Sequence, residues 1–434
     1  MATLTEPDFD VIVVGAGIAG CVTAILLARA GRQVVLIERG AAAGNKNLSG
    51  GVLYCRVLED VFPNLLTEAP VERRITRNVI QFLNADSAVA VDYADARLAE
   101  PTNAVTVLRA KLDAWLADQC EAEGVFVMTG VRVDALLTED GRVTGVRAGE
   151  DELHARVVVA ADGVNSFLSK QAGLRPATDP LNHLAVGVKG VVTLAEPVLV
   201  ERFHLTGDEG VAHAIVGDCT QGIGGGGFLY TNRASISLGV VLRLDDLTRS
   251  GRAASEVFDH FVSHPFIAPL LEGGELVEYG CHLVAEGGLH GMGEIVTDGM
   301  VVVGDAAGLT LNTGLTVRGM DLAAASGIAA AKAIDEALTA SDTSKTGLEP
   351  YRRYLLDSFA GKDLQTYAKA PSFLERGRLY AGYGPLLAEI LHQVFDQDLT
   401  PRRHLASVAR EALRGSPVRA RDLVSDGLAG VRAL

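Results

Sequence analysis

Two glycine-rich segments, far apart in the sequence, carry the groups best suited to holding a phosphorylated ligand. The first is Gly15-Ala16-Gly17-Ile18-Ala19-Gly20, which follows the apolar run Val11 to Val14 and opens a helical pattern from Cys21 to Ala30 that stops at Gly31. At this spacing Gly15 permits a tight turn, Gly17 lets backbone approach a pyrophosphate, and Gly20 lets helix and strand pack closely. A diphosphate there faces the free N–H groups and the positive end of a helix dipole. The next apolar run, Val34 to Ile37, ends at Glu38, whose carboxylate can accept hydrogen bonds from a ribose diol. A ligand-free glycine turn is the alternative, but it does not account for strand, helix and acid falling in register. The second segment, Gly304-Asp305-Ala306-Ala307-Gly308, follows the buried-strand pattern Met300 to Val303 and precedes a helix. Asp305 there could hydrogen-bond a polyol, or simply cap a helix. The two segments together suggest one long cofactor gripped at both ends, and a neutral polyol suits FAD better than NAD. A helix starting near Asn312 to Leu315 is expected to aim its N-terminus at the flavin pyrimidine ring.

The elements that must position these groups follow from periodicity. Residues 11 to 38 form a strand–helix–strand unit, and the loop AAAGNKNLSGG (41 to 51) is small and polar. Arg109 to Gly124 reads as a helix with Leu112, Trp115 and Leu116 on its apolar face. A β-meander leads to a buried strand, Val157 to Ala160, stopping at Asp162-Gly163. Alternating, β-branched segments dominate residues 176–295 and predict an inserted antiparallel sheet. The run QGIGGGGF (221 to 228) is expected to be a turn before a strand. The chain then returns to the first sheet at Met300 to Val303, followed by an Ala-rich helix from Gly319 to Leu338, a polar linker and a helical tail. The expected fold class is α/β: a Rossmann-like FAD-binding domain (1–175 plus 296–340), an inserted antiparallel β-sheet domain for quinone or substrate (176–295), and a helical C-terminal region (341–434). In that region Tyr383 to Phe395 places Leu386, Leu387, Ile390, Leu391 and Val394 on one side of a helix, suited to core packing or to meeting lipid or a partner.

Composition excludes several classes. The formal net charge of -15 over 434 residues argues against nucleic acid as the main partner. The cysteines, Cys21, Cys55, Cys120, Cys219 and Cys281, contain no CxxC pair, so neither a disulfide framework nor an iron–sulfur cluster in this chain is expected. His204, His213, His282 and His290 lack ligand spacing; they read as structural or surface groups, and no metal site is expected. The N-terminal MATLTEPDFD is not a signal peptide, and no apolar run approaches the roughly 20 residues of a spanning helix.

The segments NLSGGVLYCRVLEDVFPNLLTEAPVERRIT, GDAAGLTLNTGLTVRGMDLAAASG and SFAGKDLQTYAKAPSFLERGRLYAGYGPLL resemble the FixC family. These flavoproteins are similar to electron-transfer-flavoprotein:quinone oxidoreductase, within the geranylgeranyl reductase superfamily. The resemblance covers nearly the whole chain and implies FAD bound non-covalently in a fold of the glutathione reductase and aromatic hydroxylase type. It assigns the pyrophosphate to Gly15, Gly17, Ala19 and Gly20, the adenosine ribose to Glu38 and Arg39, and the ribose–phosphate side to Arg109. Ser49, Gly50 and Gly51 would approach the flavin, and Asp162 and Gly163 form a second fingerprint. Asp305 would take the ribitol hydroxyls, with Gly308 and Asn312, Thr313, Gly314 and Leu315 bordering the isoalloxazine. Val133 and Gly304 complete the implied cofactor set, and no acid–base catalytic residue is assigned.

The resemblance further implies a bifurcating, membrane-associated complex that oxidises NADH. Its partners would be the electron-transfer-flavoprotein subunits FixA and FixB and the ferredoxin-like FixX carrying a [4Fe–4S] cluster. This chain would reduce quinone as the other branch reduces ferredoxin or flavodoxin. It would work in the cytoplasm, peripheral on the inner face of the cell membrane. A free-standing geranylgeranyl (prenyl) reductase and a flavin-bearing docking subunit without turnover remain open alternatives.

Overall fold

Continuous β-branched runs build the first sheet. A computed structural model describes residues 7–45 and 50–434. In it, Phe9–Val14 pairs in parallel with Asp151–Ala160 on one side and Val34–Glu38 on the other. The sheet runs Val296–Thr297, Met300–Val302, Asp151–Ala160, Phe9–Val14, Val34–Glu38, Phe126–Thr129, and a hairpin of Ala135–Glu139 and Arg142–Ala148 extends the outer half of Asp151–Ala160. Its central strands carry buried apolar side chains, and Leu136, Val143 and Val146 of the hairpin share their core with the helices. Ile18–Arg29 and the 20-residue helix Met320–Thr339 pack on each other through small residues, and a Cβ at Gly327 would stand 2.8 Å from the Ala19 carbonyl oxygen.

The second sheet has nine strands, in the order Glu275–Ala285, Leu184–Thr193, Ser235–Arg243, Gly225–Thr231, Glu209–Gly217, Val71–Leu83, Ala104–Val107, Gly51–Tyr54, with Ala88–Ala94 on Val71–Leu83. Four of these strands come from residues 51–107, which the sequence patterning groups with the first unit. The sheet is also not wholly antiparallel, because Glu209–Gly217 pairs in parallel with Val71–Leu83.

Arg73 accounts for much of this recruitment. Its side chain is fully buried and donates to the carbonyl oxygens of Asn232 (2.9 Å), Gly207 (3.0 Å) and Glu209 (3.2 Å), and it pairs with Glu196 at 3.0 Å. A buried guanidinium needs such partners, so it fixes the early strand against the inserted ones.

The third expected boundary, the polar linker, contains a short helix, Lys345–Leu348, capped by the Ser344 hydroxyl. The tail is helical as expected, including Tyr383–Phe395, Leu405–Gly415 and Ala420–Ala433.

Candidate active site

Where the two sheets face each other, a cleft of about 1100 Å³ runs from the first glycine turn to the C-terminal helices. At one end the backbone itself is the binding surface. Gly15 has φ +111°, and a Cβ there would sit 2.2 Å from the Ala161 carbonyl oxygen, so the turn admits no side chain. A Cβ at Gly20 would lie 2.0 Å from the Gly15 oxygen, which brings the helix Ile18–Arg29 hard against the strand end. Gly17 differs: a Cβ there meets within 4 Å only Arg109 Nη2, at 3.8 Å, so its backbone faces the open cleft. Glu38 closes this end, accepting from the N–H groups of Ala16 (3.0 Å) and Gly40 (2.7 Å).

The other expected residues distribute along the same cleft. Arg39, Gly50, Gly51, Val133, Asp162, Gly163, Gly304, Asp305 and Asn312 to Leu315 all line it. Arg109 is not a solvated surface arginine; it is deep in the cleft wall, paired with buried Asp113 at 2.8 Å. Gly308 does not line the cleft: it ends a helical turn with φ +79°, where a Cβ would be 2.4 Å from the Gly291 oxygen. Ser49 lies outside the described residues.

The helix expected near Asn312 begins later. Leu311–Asn312 and Val317–Arg318 form a small hairpin with residues 313–316 as its turn, and the helix starts at Met320. Asn312 Oδ1 accepts from the Gly314 N–H at 2.7 Å, and Thr313 Oγ1 from the Thr316 N–H at 3.1 Å. These side-chain contacts stabilise the turn instead of a helix. It is therefore Gly319 and Met320 that bring a helix N-terminus to the cleft. Gly304 to Ala307 is likewise a single 3₁₀ turn rather than the start of a long helix.

Two polar groups in the cleft wall stand ready for a ligand. Asp162 Oδ2 accepts from the Leu168 N–H at 3.0 Å, but its buried Oδ1 has no partner among the described residues. The Asp305 carboxylate accepts no hydrogen bond among the described residues, and burial raises its pKa while Arg109, His282 and Lys189 oppose that shift.

Beyond Asp305 the chemistry comes from residues the sequence did not single out. Lys189, inside an apolar strand, is buried over the Phe228 ring (5.7 Å), which stacks on Tyr230 (4.9 Å). Burial, helped by Arg109, lowers its pKa to about 8. His213 and His282, expected as structural or surface groups, both line the cleft, and burial lowers His213 to about 4. Glu286, Arg243 and Tyr380 complete this wall. A charged residue in an otherwise apolar strand was the available signal for Lys189; nothing local marks Glu286. The run at 221–228 straddles a turn and the strand Gly225–Thr231, and Gly225 to Phe228 line the cleft. Among the described residues, no cluster of His, Cys, Asp and Glu could hold a metal ion.

Comparison with known proteins agrees with this geometry. The FAD binding domain family matches residues 8–209. The chain is similar to the probable electron transfer flavoprotein-quinone oxidoreductase YdiS of Escherichia coli K12, at 44% identity over 99% of this chain and 100% of that protein. It is 42% identical to protein FixC of the same strain, over 99% of this chain and 100% of the relative. Among solved structures, a geranylgeranyl bacteriochlorophyll reductase-like protein of Thermoplasma acidophilum superposes with TM-score 0.70, covering 96% of this chain and 99% of that one. Its 20% identity makes this a likeness of fold. The cleft fits FAD: an open backbone cradle at Gly17, an orphaned Asp162 oxygen and an unpartnered Asp305 lie in one continuous groove.

Proposed function

Because the chain belongs to the family of FixC and the electron transfer flavoprotein-quinone oxidoreductases, and is an FAD-dependent oxidoreductase, we propose that it accepts electrons from an electron-transfer flavoprotein and delivers them to a quinone. In this reading it works within a bifurcating complex with FixA-, FixB- and FixX-like subunits. The [4Fe–4S] cluster would reside on the small ferredoxin-like partner, which reduces ferredoxin or flavodoxin. FAD, when bound, supplies redox chemistry that can join one-electron and two-electron partners.

The chain's own residues hold and isolate the cofactor. Gly15 to Gly20 present backbone N–H groups to the pyrophosphate, Glu38 and Arg39 take the adenosine ribose, and Arg109 offers positive charge beside them. Asp162 Oδ1 and Asp305 supply acceptors to hydroxyl donors. Lys189 and the N-terminus at Met320 place positive charge farther along, where it favours added electrons.

The observation that carries the acceptor reading is the cleft's far end. Phe373, Leu374, Leu379 and Leu434 line it beside the C-terminal helices, an apolar entrance suited to a prenylated ring. The helix Ala420–Ala433 is pinned there by Asp426, which accepts from Arg378 Nη2 (2.7 Å), Tyr383 Oη (2.5 Å) and Arg376. Val424, Leu428 and Val431 recur at helical spacing on the opposite face, and Val431 is 86% exposed. Elsewhere in the same C-terminal region Phe395 (76% exposed) and Leu399 (100%) are exposed, as are Arg402, Arg403, Arg410, Arg414, Arg419 and Arg421. Apolar and cationic side chains together suit the surface of an anionic membrane. In this reading the chain lies on the inner face of the cell membrane; among the described residues no helix is long and apolar enough to cross it.

The test is to purify the chain with its partner subunits and follow NADH oxidation with and without a quinone. NADH consumption that requires quinone, with quinol formed, is expected; consumption indifferent to quinone overturns the reading.

A further inference from the structure

Quinone reduction consumes protons as well as electrons, and the cleft must supply them. Its carboxyl groups differ in how they are engaged. Glu38 accepts from two backbone N–H groups, Asp134 from Gly149 and Asp162 from Leu168, and Glu375 accepts from Asn182. Asp305 stands among the side chains of Arg109, Lys189 and His282. Glu286 is different.

Glu286 follows the strand Glu275–Ala285, where the inserted sheet meets the first unit. Three bonds fix it there. Thr310 Oγ1 donates to the Ala285 oxygen (2.6 Å), the Glu286 N–H donates to the His183 oxygen (2.7 Å), and Asn312 Nδ2 donates to Glu286 Oε2 (3.0 Å). Oε1 has no partner among the described residues, and the side chain lines the cleft. Across from it, Arg243 Nη2 is engaged by Asp245 (2.9 Å) and Asp246 (3.5 Å) while its buried Nη1 keeps no partner, and among the described residues no ion pair joins Arg243 to Glu286. Tyr380 faces it from the C-terminal helices, its hydroxyl donating to the Leu374 oxygen at 2.6 Å.

We propose that Glu286 is the proton donor to the acceptor: it hands a proton from Oε1 to a carbonyl oxygen of a quinone lodged between the turn 313–316 and Tyr380. This rests on the quinone reading above. The balance is two electrons, from a reduced electron-carrier protein, and two protons. One proton leaves the Glu286 carboxyl for the quinone oxygen beside it as an O–H bond forms, the resulting carboxylate is reprotonated from solvent at the cleft mouth, and the far quinone oxygen takes its proton from solvent. The product is the quinol.

The environment of Glu286 suits this role. Burial raises its pKa from 4.5 to about 7, against the smaller opposing effects of Asn312 and Arg243, so donor and recharged forms interconvert near neutrality. The titratable groups around it are Arg243 and Tyr380 facing it, His183 at its backbone contact, and Asp246 beyond Arg243.

The test uses the FAD-loaded full chain with a reduced electron-transfer flavoprotein and compares decylubiquinone, which takes up protons, with ferricyanide, which does not. For Glu286→Gln, the ratio of quinone to ferricyanide turnover should fall about a hundredfold. Glu286→Asp should restore part of it with a displaced pH profile. An infrared difference spectrum across neutral pH should show a carboxyl band converting to carboxylate in the wild type and missing in Glu286→Gln. An unchanged ratio in Glu286→Gln, or no such band in the wild type, overturns the assignment of Glu286 and leaves the quinone reading standing. A wild type that reduces ferricyanide but no quinone overturns both.

Discussion

The two ends of the cleft are built in opposite ways. At the glycine end the binding surface is backbone. Gly15, Gly17 and Gly20 lie within six residues of one another, and the carboxylate of Glu38 is already held by two N–H groups. At the acceptor end the surface is side chain. Lys189, His213, Arg243, Glu286 and Tyr380 come from five separate elements and converge by tertiary packing. The first end offers shape and a helix dipole. The second carries groups whose charges were displaced by burial, as redox and proton chemistry requires.

Gly15→Ala should break the first end outright. The new Cβ meets the Ala161 carbonyl at 2.2 Å with φ at +111°, a conflict worth at least about 3 kcal/mol. The expected outcome is loss of bound FAD from the purified protein, read from the flavin absorbance per chain, with a lowered Tm. A loop that accepts alanine and keeps its flavin would mean that the backbone is not the binding surface.

The acceptor end should answer to pH instead. Glu286 binds its proton more tightly folded than unfolded, so its contribution to stability is complete below about pH 4.5 and is lost as pH rises through about 7. That displacement corresponds to about 3 kcal/mol. In the FAD-free protein, Glu286→Gln should therefore be more stable than the wild type at pH 8 and similar to it at pH 5, by urea unfolding. Equal stabilities at both pH values would remove the contrast between the two ends.

Lys189 gives the opposite slope. Its folded pKa of about 8 lies below the ordinary 10.5, so the wild type should gain stability as pH rises from about 8 to about 10.5, and Lys189→Met should lack that gain. His213, held neutral by burial, costs stability as pH falls from about 6.5 to about 4.

The smallest effect returns to the glycine end. Glu38→Gln keeps one acceptor oxygen but loses its charge, and should weaken FAD binding by about 1.5 kcal/mol, roughly tenfold. Titration of FAD into the stripped variant measures it. A loss that varied with pH near neutrality would contradict the division drawn here.

Local order was legible where chemistry is encoded in contiguous residues. The strand–glycine turn–helix at the N-terminus, Glu38 at the end of the second strand, and the helices from Arg109, through the Ala-rich segment, and from Tyr383 follow from glycine sterics and apolar periodicity. Non-local pairing was not legible. Nothing in VERRITRNVIQFL says that Arg73 will be buried under carbonyls from residues 207–232, or that this strand will join a sheet made mostly of residues 184–285.

The turn at 313–316 shows a nearer limit. Side-chain bonds from Asn312 and Thr313 hold a hairpin in place of the expected helix start, and they depend on atoms rather than on hydropathy. The amino-acid sequence alone determined the glycine turn, because the positions that demand glycine fall within six residues of one another, while the Ala161 carbonyl that excludes a side chain at Gly15 arrives by sheet packing. Tertiary structure alone decided the acceptor end. There, burial moves a lysine, a histidine and a glutamate toward their neutral forms, and burial is a property of the whole packed chain.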